Sequence, residues 1–188
     1  EAVRAGMAAI QALDGDLSVE RKADSSPVTK ADRGAEKAIR ALINESFPDH
    51  GIIGEEYGNE NLDAEYVWVI DPIDGTKAFI TGFSAWGTLI ALQKNGRAVL
   101  GALNQPCAGE RFIGVPGQTT LNGETLSTRA CPRLEQARLG ITELEMMHTD
   151  AQRHAFDAIA SKVEYLRLGG DCYNYALLAA GHIDLVIE

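Results

Sequence analysis

Two short acidic clusters carry the chemistry legible in this chain. The first is Tyr66-Val-Trp-Val-Ile-Asp71-Pro-Ile-Asp74-Gly-Thr76, an apolar β-rich run ending in two aspartates. The second is Ile52-Ile-Gly54-Glu55-Glu56, another apolar run that ends in carboxylates. Pro72 biases Asp71 away from the helical region, and Gly75 permits a turn that other residues resist. The chain is therefore expected to leave a strand over residues 67–70, turn, and enter a helix near Thr76. Both aspartates then stand beside a helix N-terminus. Hard carboxylate oxygens suit divalent cations, and the N–H groups of a helix start suit an anion. Cations and a phosphate held together outline a metal-dependent phosphatase. An Asp-Gly turn or an Asp helix cap gives the same local pattern without chemistry. The second, separate acidic run favours a site.

The surrounding elements must bring these clusters together. Residues 1–13 are alanine-rich, with Val3, Met7, Ile10 and Leu13 near helical spacing. Residues 14–26 are polar, a loop or hairpin. A second helix is expected over 31–47, with Thr29 as N-cap and Asp32 as a first-turn acid, stopping before Pro48. Residues 51–56 form a short strand or turn and 57–64 a polar, flexible loop. Strands are expected over 83–92, 98–103 and 110–115, the first two joined by the hairpin signal Asn95-Gly96. Residues 116–120 read as a loop and Asn122-Gly123 as a tight turn, so this sheet is largely antiparallel. Further on, strands at 137–142, 163–168 and 182–188 alternate with helices at 150–163 and 173–180, a mixed α/β pattern. Met146 and Met147 read as packing residues. A boundary near 129–138 separates an N-terminal metal-binding part, 1–130, from the start of an α/β part, 131–188.

Composition narrows the partners. The 188 residues are 45% hydrophobic and 23% charged, ordinary for one large globular domain or two small ones. Net charge is −10 with no basic tract, which argues against nucleic acid or an anionic membrane as main partner. An acidic chain without clustered Lys or Arg also needs bound metal as its positive charge for phosphate. Cys107, Cys131 and Cys172 show no zinc spacing and no disulfide framework, so a reducing cytoplasm is expected. No apolar run approaches a membrane span, and no signal peptide is read. Both ends read as cut: Glu1 opens mid-helix, and the last strand stops at Glu188 without a turn.

Together, Gly54-Glu55-Glu56 and Asp71-Pro-Ile-Asp74-Gly-Thr76 resemble the fingerprint of the inositol monophosphatase family, metal-dependent and lithium-sensitive phosphatases of sugars and alcohols. Val28-Thr29-Lys30-Ala31-Asp32 resembles an upstream element of that family, and the resemblance covers essentially the whole chain. Asp74-Gly-Thr-Lys-Ala-Phe-Ile-Thr-Gly82, Gln105-Pro106 with Glu110-Arg-Phe-Ile-Gly114, and Leu121-Asn-Gly123 with Leu126-Ser-Thr-Arg129 are similar to its histidinol-phosphate phosphatase branch. Gly170-Asp-Cys-Tyr-Asn-Tyr-Ala-Leu-Leu-Ala179 sharpens that likeness. The resemblance implies an α/β fold, an αβαβα layered sandwich with its C-terminal part missing, a homodimer, and Mg²⁺ as cofactor. It also implies roles. Glu55 and Asp71, with the Ile73 carbonyl, would hold a first Mg²⁺, and Asp71 would bridge to a second that Asp74 also binds. Gly75 and Thr76 would offer N–H groups to the phosphate. The Thr76 hydroxyl and Glu55 would activate the attacking water, with Asp32 orienting Thr76. Glu56 either supports this shell or faces solvent. Family members continue into a Trp-Asp or Tyr-Asp element whose aspartate completes the second metal site, and no such residue follows Glu188 in this sequence.

The expected reaction is hydrolysis of a small phosphate monoester, with histidinol phosphate first. Inositol-1-phosphate or a broader set of sugar phosphates is the alternative. A non-catalytic binding or regulatory protein keeping the fold is an alternative of another class. Histidinol carries a cationic amine and an imidazole, which carboxylates opposite the metals would attract. Asp171 and Glu188 are the candidates; the plainer readings are a turn aspartate capping the helix at Tyr173 and a strand-end glutamate in water. Asn174 is a candidate to orient the substrate. His182 and the other histidines read as surface or packing residues. Cys172 has no activating base in sequence, so no cysteine nucleophile is expected.

Overall fold

The computed structural model describes residues 1–11, 18–21 and 27–188. Helix α1 (Ala2–Gln11) opens the chain, and the short strands β1 (Glu20–Arg21) and β2 (Pro27–Val28) pair antiparallel. Leu13 and most of the polar 14–26 run lie outside the described residues. Helix α2 (Lys30–Ser46) starts at a capping box in which Thr29 accepts the Asp32 N–H and Asp32 accepts the Thr29 N–H. It ends ahead of Pro48, as the proline requires.

Strands β3 (Gly51–Gly54), β4 (Asn59–Glu60) and β5 (Tyr66–Asp74) follow, then helix α3 (Thr76–Thr81). Strands β6 (Gly87–Lys94), β7 (Arg97–Gln105), β8 (Glu110–Val115), β9 (Gln118–Leu121) and β10 (Glu124–Thr125) complete one sheet in the order β10-β9-β8-β7-β6-β5-β3-β4. Its neighbours are antiparallel except β3 and β5, which run parallel. The turns at Asn95-Gly96 and Asn122-Gly123 carry positive φ on both residues, the backbone that matches the twist of flanking strands.

In this sheet and its connections, four expectations change. β5 does not stop at Ile70 but runs through both aspartates, with Asp71 opposite Leu89, Asp74 opposite Gly87 and a bulge between. Pro72 has no N–H for a ladder; the bulge absorbs it, and the Thr88 hydroxyl donates to the Pro72 carbonyl at 2.9 Å. The 57–64 loop contains β4, which zips back onto β3. The strand expected from Phe83 begins at Gly87, because Gly82 ends α3 in the left-handed region and residues 83–86 turn the chain back. The 116–120 loop is only a turn at Pro116-Gly117 before β9.

The remaining chain forms β11 (Arg138–Ile141), α4 (Asp150–Ala160), β12 (Tyr165–Leu168), α5 (Tyr173–Ala179) and β13 (Leu185–Val186). Its three strands are parallel, in the order β12-β11-β13. The last strand is shorter than the 182–188 run expected.

Side-chain alternation along the strands sets the layers. Ile70 and Ile90 share one face with Ile52, packed against Val3 of α1 and Ile39 and Ile43 of α2. Val69, Leu89 and Ala91 line the other face, across a 440 Å³ apolar cleft from Tyr175, Ala176 and Ala179 of α5. Asn174 of α5 also abuts Gly140 of the small sheet. Leu139 and Ile141, pointing away from α5, bury with Phe156 of α4 and with Met147, a packing residue as expected. The order is α1 and α2, large sheet, α5, small sheet, α4: the αβαβα sandwich. Among the described residues no helix is long and apolar enough to cross a membrane.

Candidate metal and phosphate site

Strand pairing brings the two acidic runs together. β3 and β5 are parallel neighbours with Gly54 opposite Ile70. The next residue on each strand is an acid, Glu55 on one and Asp71 on the other. Burial, then the charges of Glu55 and Asp74, push the Asp71 carboxyl up to about 9. Asp71 also shares a hydrogen bond with the Glu55 side chain. Its Oδ1 is buried and has no hydrogen-bond partner among the described residues. Asp74, beyond the bulge, accepts the Cys172 N–H at 2.6 Å, which ties the end of β5 to the start of α5.

Gly75 takes φ +83°, and a Cβ there would stand 3.0 Å from the Ala85 carbonyl and from the Asp171 carboxyl carbon. Glycine is therefore required both by backbone and by space. It caps α3 without a side chain, so the first N–H groups of that helix lack intrahelical partners. The Thr76 hydroxyl donates to the Ile73 carbonyl at 3.1 Å and approaches Asp32 Oδ1 at 3.5 Å. Asp32 is thus both the capping acid of α2 and a neighbour of Thr76. Its Oδ2 accepts from the Thr29 hydroxyl at 2.5 Å. Burial raises its carboxyl above the ordinary range, and the Thr29 hydrogen bonds partly oppose the rise.

Glu55, Gly75, Thr76, Lys77, Glu143 and Asp171 line a cavity of 330 Å³ between the two sheets' loops. Lys77 Nζ meets Glu143 Oε1 at 2.6 Å across it. Burial and the charge of Asp74 push Asp171 up to about 6. Asp171 sits at φ +45° and does not cap α5, whose N-cap is Cys172 with no side-chain bond. Glu188 does not line this cavity. It accepts from the Thr142 hydroxyl at 2.5 Å and the Tyr175 hydroxyl at 2.9 Å, and its charge is felt at Asp171. Glu56 is half-buried, and its N–H donates to Glu36. Asn174 is buried against Gly140 and Gly170 and is not among the residues that line this cavity. The Cys172 thiol is buried and pushed far up, which suits no nucleophile. His50 stacks between Phe47 and Tyr66 and accepts from Trp68 Nε1 at 3.0 Å, a packing role.

Among the described residues, no three His, Cys, Asp or Glu side chains stand together as a ready coordination shell. Asp71 shares a hydrogen bond with Glu55, while Asp74 is turned to the Cys172 N–H. The donor chemistry still fits a hard divalent cation. It is all oxygen, from Glu55, Asp71, Asp74 and the Ile73 carbonyl, with a buried oxygen on Asp71 that has no partner among the described residues.

Sequence reasoning missed Glu36, Arg40, Lys77 and Glu143. Glu36 and Arg40 follow Asp32 at steps of four on an otherwise apolar helix face, a signal present in the sequence. The Lys77–Glu143 contact has no local signal.

The sequence pattern of the inositol monophosphatase family matches residues 1–188. The chloroplastic bifunctional phosphatase IMPL2 of Arabidopsis thaliana is 50% identical over 89% of this chain, which spans 49% of that protein's length. The histidinol-phosphatase of Chlorobaculum parvum is 35% identical, with 92% of this chain and 67% of that protein aligned. An inositol monophosphatase structure from Zymomonas mobilis superposes with TM-score 0.85 at 47% identity, covering 100% of this chain and 73% of the other.

Proposed function

Because the chain belongs to the inositol monophosphatase family, we propose that it hydrolyses a small phosphate monoester with Mg²⁺, and that this ester is histidinol phosphate. One observation carries the reading. Asp71 is half-buried and keeps one buried carboxylate oxygen with no hydrogen-bond partner among the described residues, pressed by the charges of Glu55 and Asp74. At neutral pH only a proton or a cation balances such a group. Glu55, Asp71, Asp74 and the Ile73 carbonyl are the oxygen donors for Mg²⁺, which when bound polarises the phosphoryl group and offsets charge on the leaving alkoxide.

The chain's own residues do the rest. Thr76, aligned between Asp32 and the Ile73 carbonyl, and Glu55 orient the attacking water and hold its proton. The N–H groups of Gly75 and Thr76 orient the phosphate oxygens. Asp171 and Glu188 provide negative charge for the ammonium and imidazole of histidinol, with Asp171 on the cavity wall beside Glu143. Likeness to the Chlorobaculum histidinol-phosphatase supports this substrate. The inositol monophosphatase of Zymomonas supports inositol-1-phosphate as the second reading.

Phosphate release from equal concentrations of the two esters, at saturating Mg²⁺ and with Asp74→Asn as blank, tests the proposal. Faster release from histidinol phosphate supports it. Faster release from inositol-1-phosphate moves the chain to the second reading, and release from neither overturns both.

A further inference from the structure

We propose that Glu36 and Arg40 are positioning residues, a buried ion pair on α2 that fixes the backbone carrying Glu55 and so the cation-binding geometry of the site. The inference rests on Glu55 being a metal ligand, as read above. Asp32, Glu36 and Arg40 recur every four residues, so they stack along one face of α2. They are 1%, 0% and 6% exposed. Charges so deeply buried are costly unless each finds partners. Besides Thr29 for Asp32 and each other for Glu36 and Arg40, their partners lie in the loop after Glu55 and at Thr76.

Glu36 Oε1 accepts from Arg40 Nε at 2.7 Å. The same carboxylate accepts the Glu56 N–H at 2.7 Å and the Tyr57 N–H at 3.2 Å. Arg40 reaches on to Glu60 Oε1 at 2.8 Å and to the Gly58 carbonyl. The pair therefore grips the loop after Glu55 at its start and again at its return. The β3–β4 pairing and the Gly54 N–H to Gly58 carbonyl bond at 3.1 Å close the same loop through the backbone, so the ion pair adds a side-chain clamp to a hairpin whose outer side is exposed.

Gly54 is the steric counterpart. A Cβ there would overlap the Glu36 carboxylate and the Arg40 guanidinium. The glycine that precedes the two glutamates is the space the pair occupies. One turn earlier on the same helix face, Asp32 meets the Thr76 hydroxyl. A single rigid helix face thus sets Thr76 and Glu55 relative to each other, although the two residues belong to different loops.

The test is calorimetric titration of Mg²⁺ into the wild-type chain, Glu36→Gln and Glu60→Gln, with Glu55→Gln as blank, alongside kcat and KM for the phosphate monoester. Glu36→Gln keeps the side chain's size but loses the charge that holds Arg40. Glu36→Gln is expected to weaken Mg²⁺ binding about tenfold or more, as loss of a partner behind a ligand does. Glu60→Gln, at the half-exposed far end of the pair, should weaken it by a smaller factor, and KM should stay close to wild type in both. If Glu36→Gln does not fold, Glu60→Gln decides alone. Mg²⁺ affinity unchanged while the melting temperature falls means a purely structural pair and overturns the proposal. No Glu55-dependent heat in the wild-type chain overturns the metal site itself, and this inference with it.

Discussion

Glu36 and Asp71 both bury carboxylate oxygen near one site, and the protein treats them oppositely. Glu36 meets a guanidinium and two backbone N–H groups. Asp71 meets two other acids, keeps an oxygen without a partner among the described residues, and is pushed up to about 9. Burial alone therefore does not mark function. A buried charge that the chain neutralises holds its neighbours in place, and one surrounded by like charge is kept for something outside the chain.

The largest expected effect is on chemistry. Asp74→Asn should lower turnover about a thousandfold or more, since several kcal/mol of charge stabilisation depend on the cation site. The asparagine oxygen can still accept the Cys172 N–H, so cooperative melting should persist. Turnover within a few-fold of wild type would remove Asp74 from the site.

The next effect breaks the comparison directly. Glu36→Leu leaves Arg40 buried without its main partner, a loss of about 3–5 kcal/mol that lowers the melting temperature by roughly 6–20 °C. Asp71→Asn, melted with a chelator present, should not destabilise and is expected to raise the melting temperature. Equal losses in the two variants would show that the two carboxylates are alike.

A pH series sharpens the contrast. The folded-state pKa of Asp71 lies above its unfolded value, so the native state holds the proton more tightly and stability falls as pH rises. Without metal, the melting temperature of the wild-type chain should decline between about pH 6 and about 9, the window between the raised values of Asp171 and Asp71. Asp171 adds a decline of the same sign below that window. The wild-type minus Asp71→Asn difference should grow more negative toward the upper end, and parallel curves would contradict the assignment.

The smallest effect belongs to Lys77→Ala. Its partner Glu143 spans the cavity, but the side chains are 66% and 38% exposed. Exposed pairs contribute about 0–1 kcal/mol, so the melting temperature should move by no more than about 4 °C.

Local signals were legible in the sequence and non-local ones were not. Asn95-Gly96 and Asn122-Gly123 declare their turns because φ must be positive there. Thr29 and Asp32 declare the start of α2 through capping chemistry. Pro72 misleads: taken alone it ends a strand, yet a bulge and the Thr88 hydroxyl carry β5 past it. The polar loop hides β4, because a two-residue strand has no period of its own. Two acid-ended apolar runs are visible in the sequence, but their adjacency depends on the parallel pairing of β3 and β5. The stripe of Asp32, Glu36 and Arg40 is visible as helical spacing, while its partners in the 56–60 loop appear only in three dimensions.

Melting the wild-type chain and Asp71→Asn at increasing Mg²⁺, above neutral pH, tests most directly whether Asp71 belongs to a shared divalent-cation site. A ligand that binds the folded state raises its melting temperature with concentration. The account predicts a steady rise for the wild-type chain and none for Asp71→Asn. The same rise in both, or none in the wild-type chain, would contradict it.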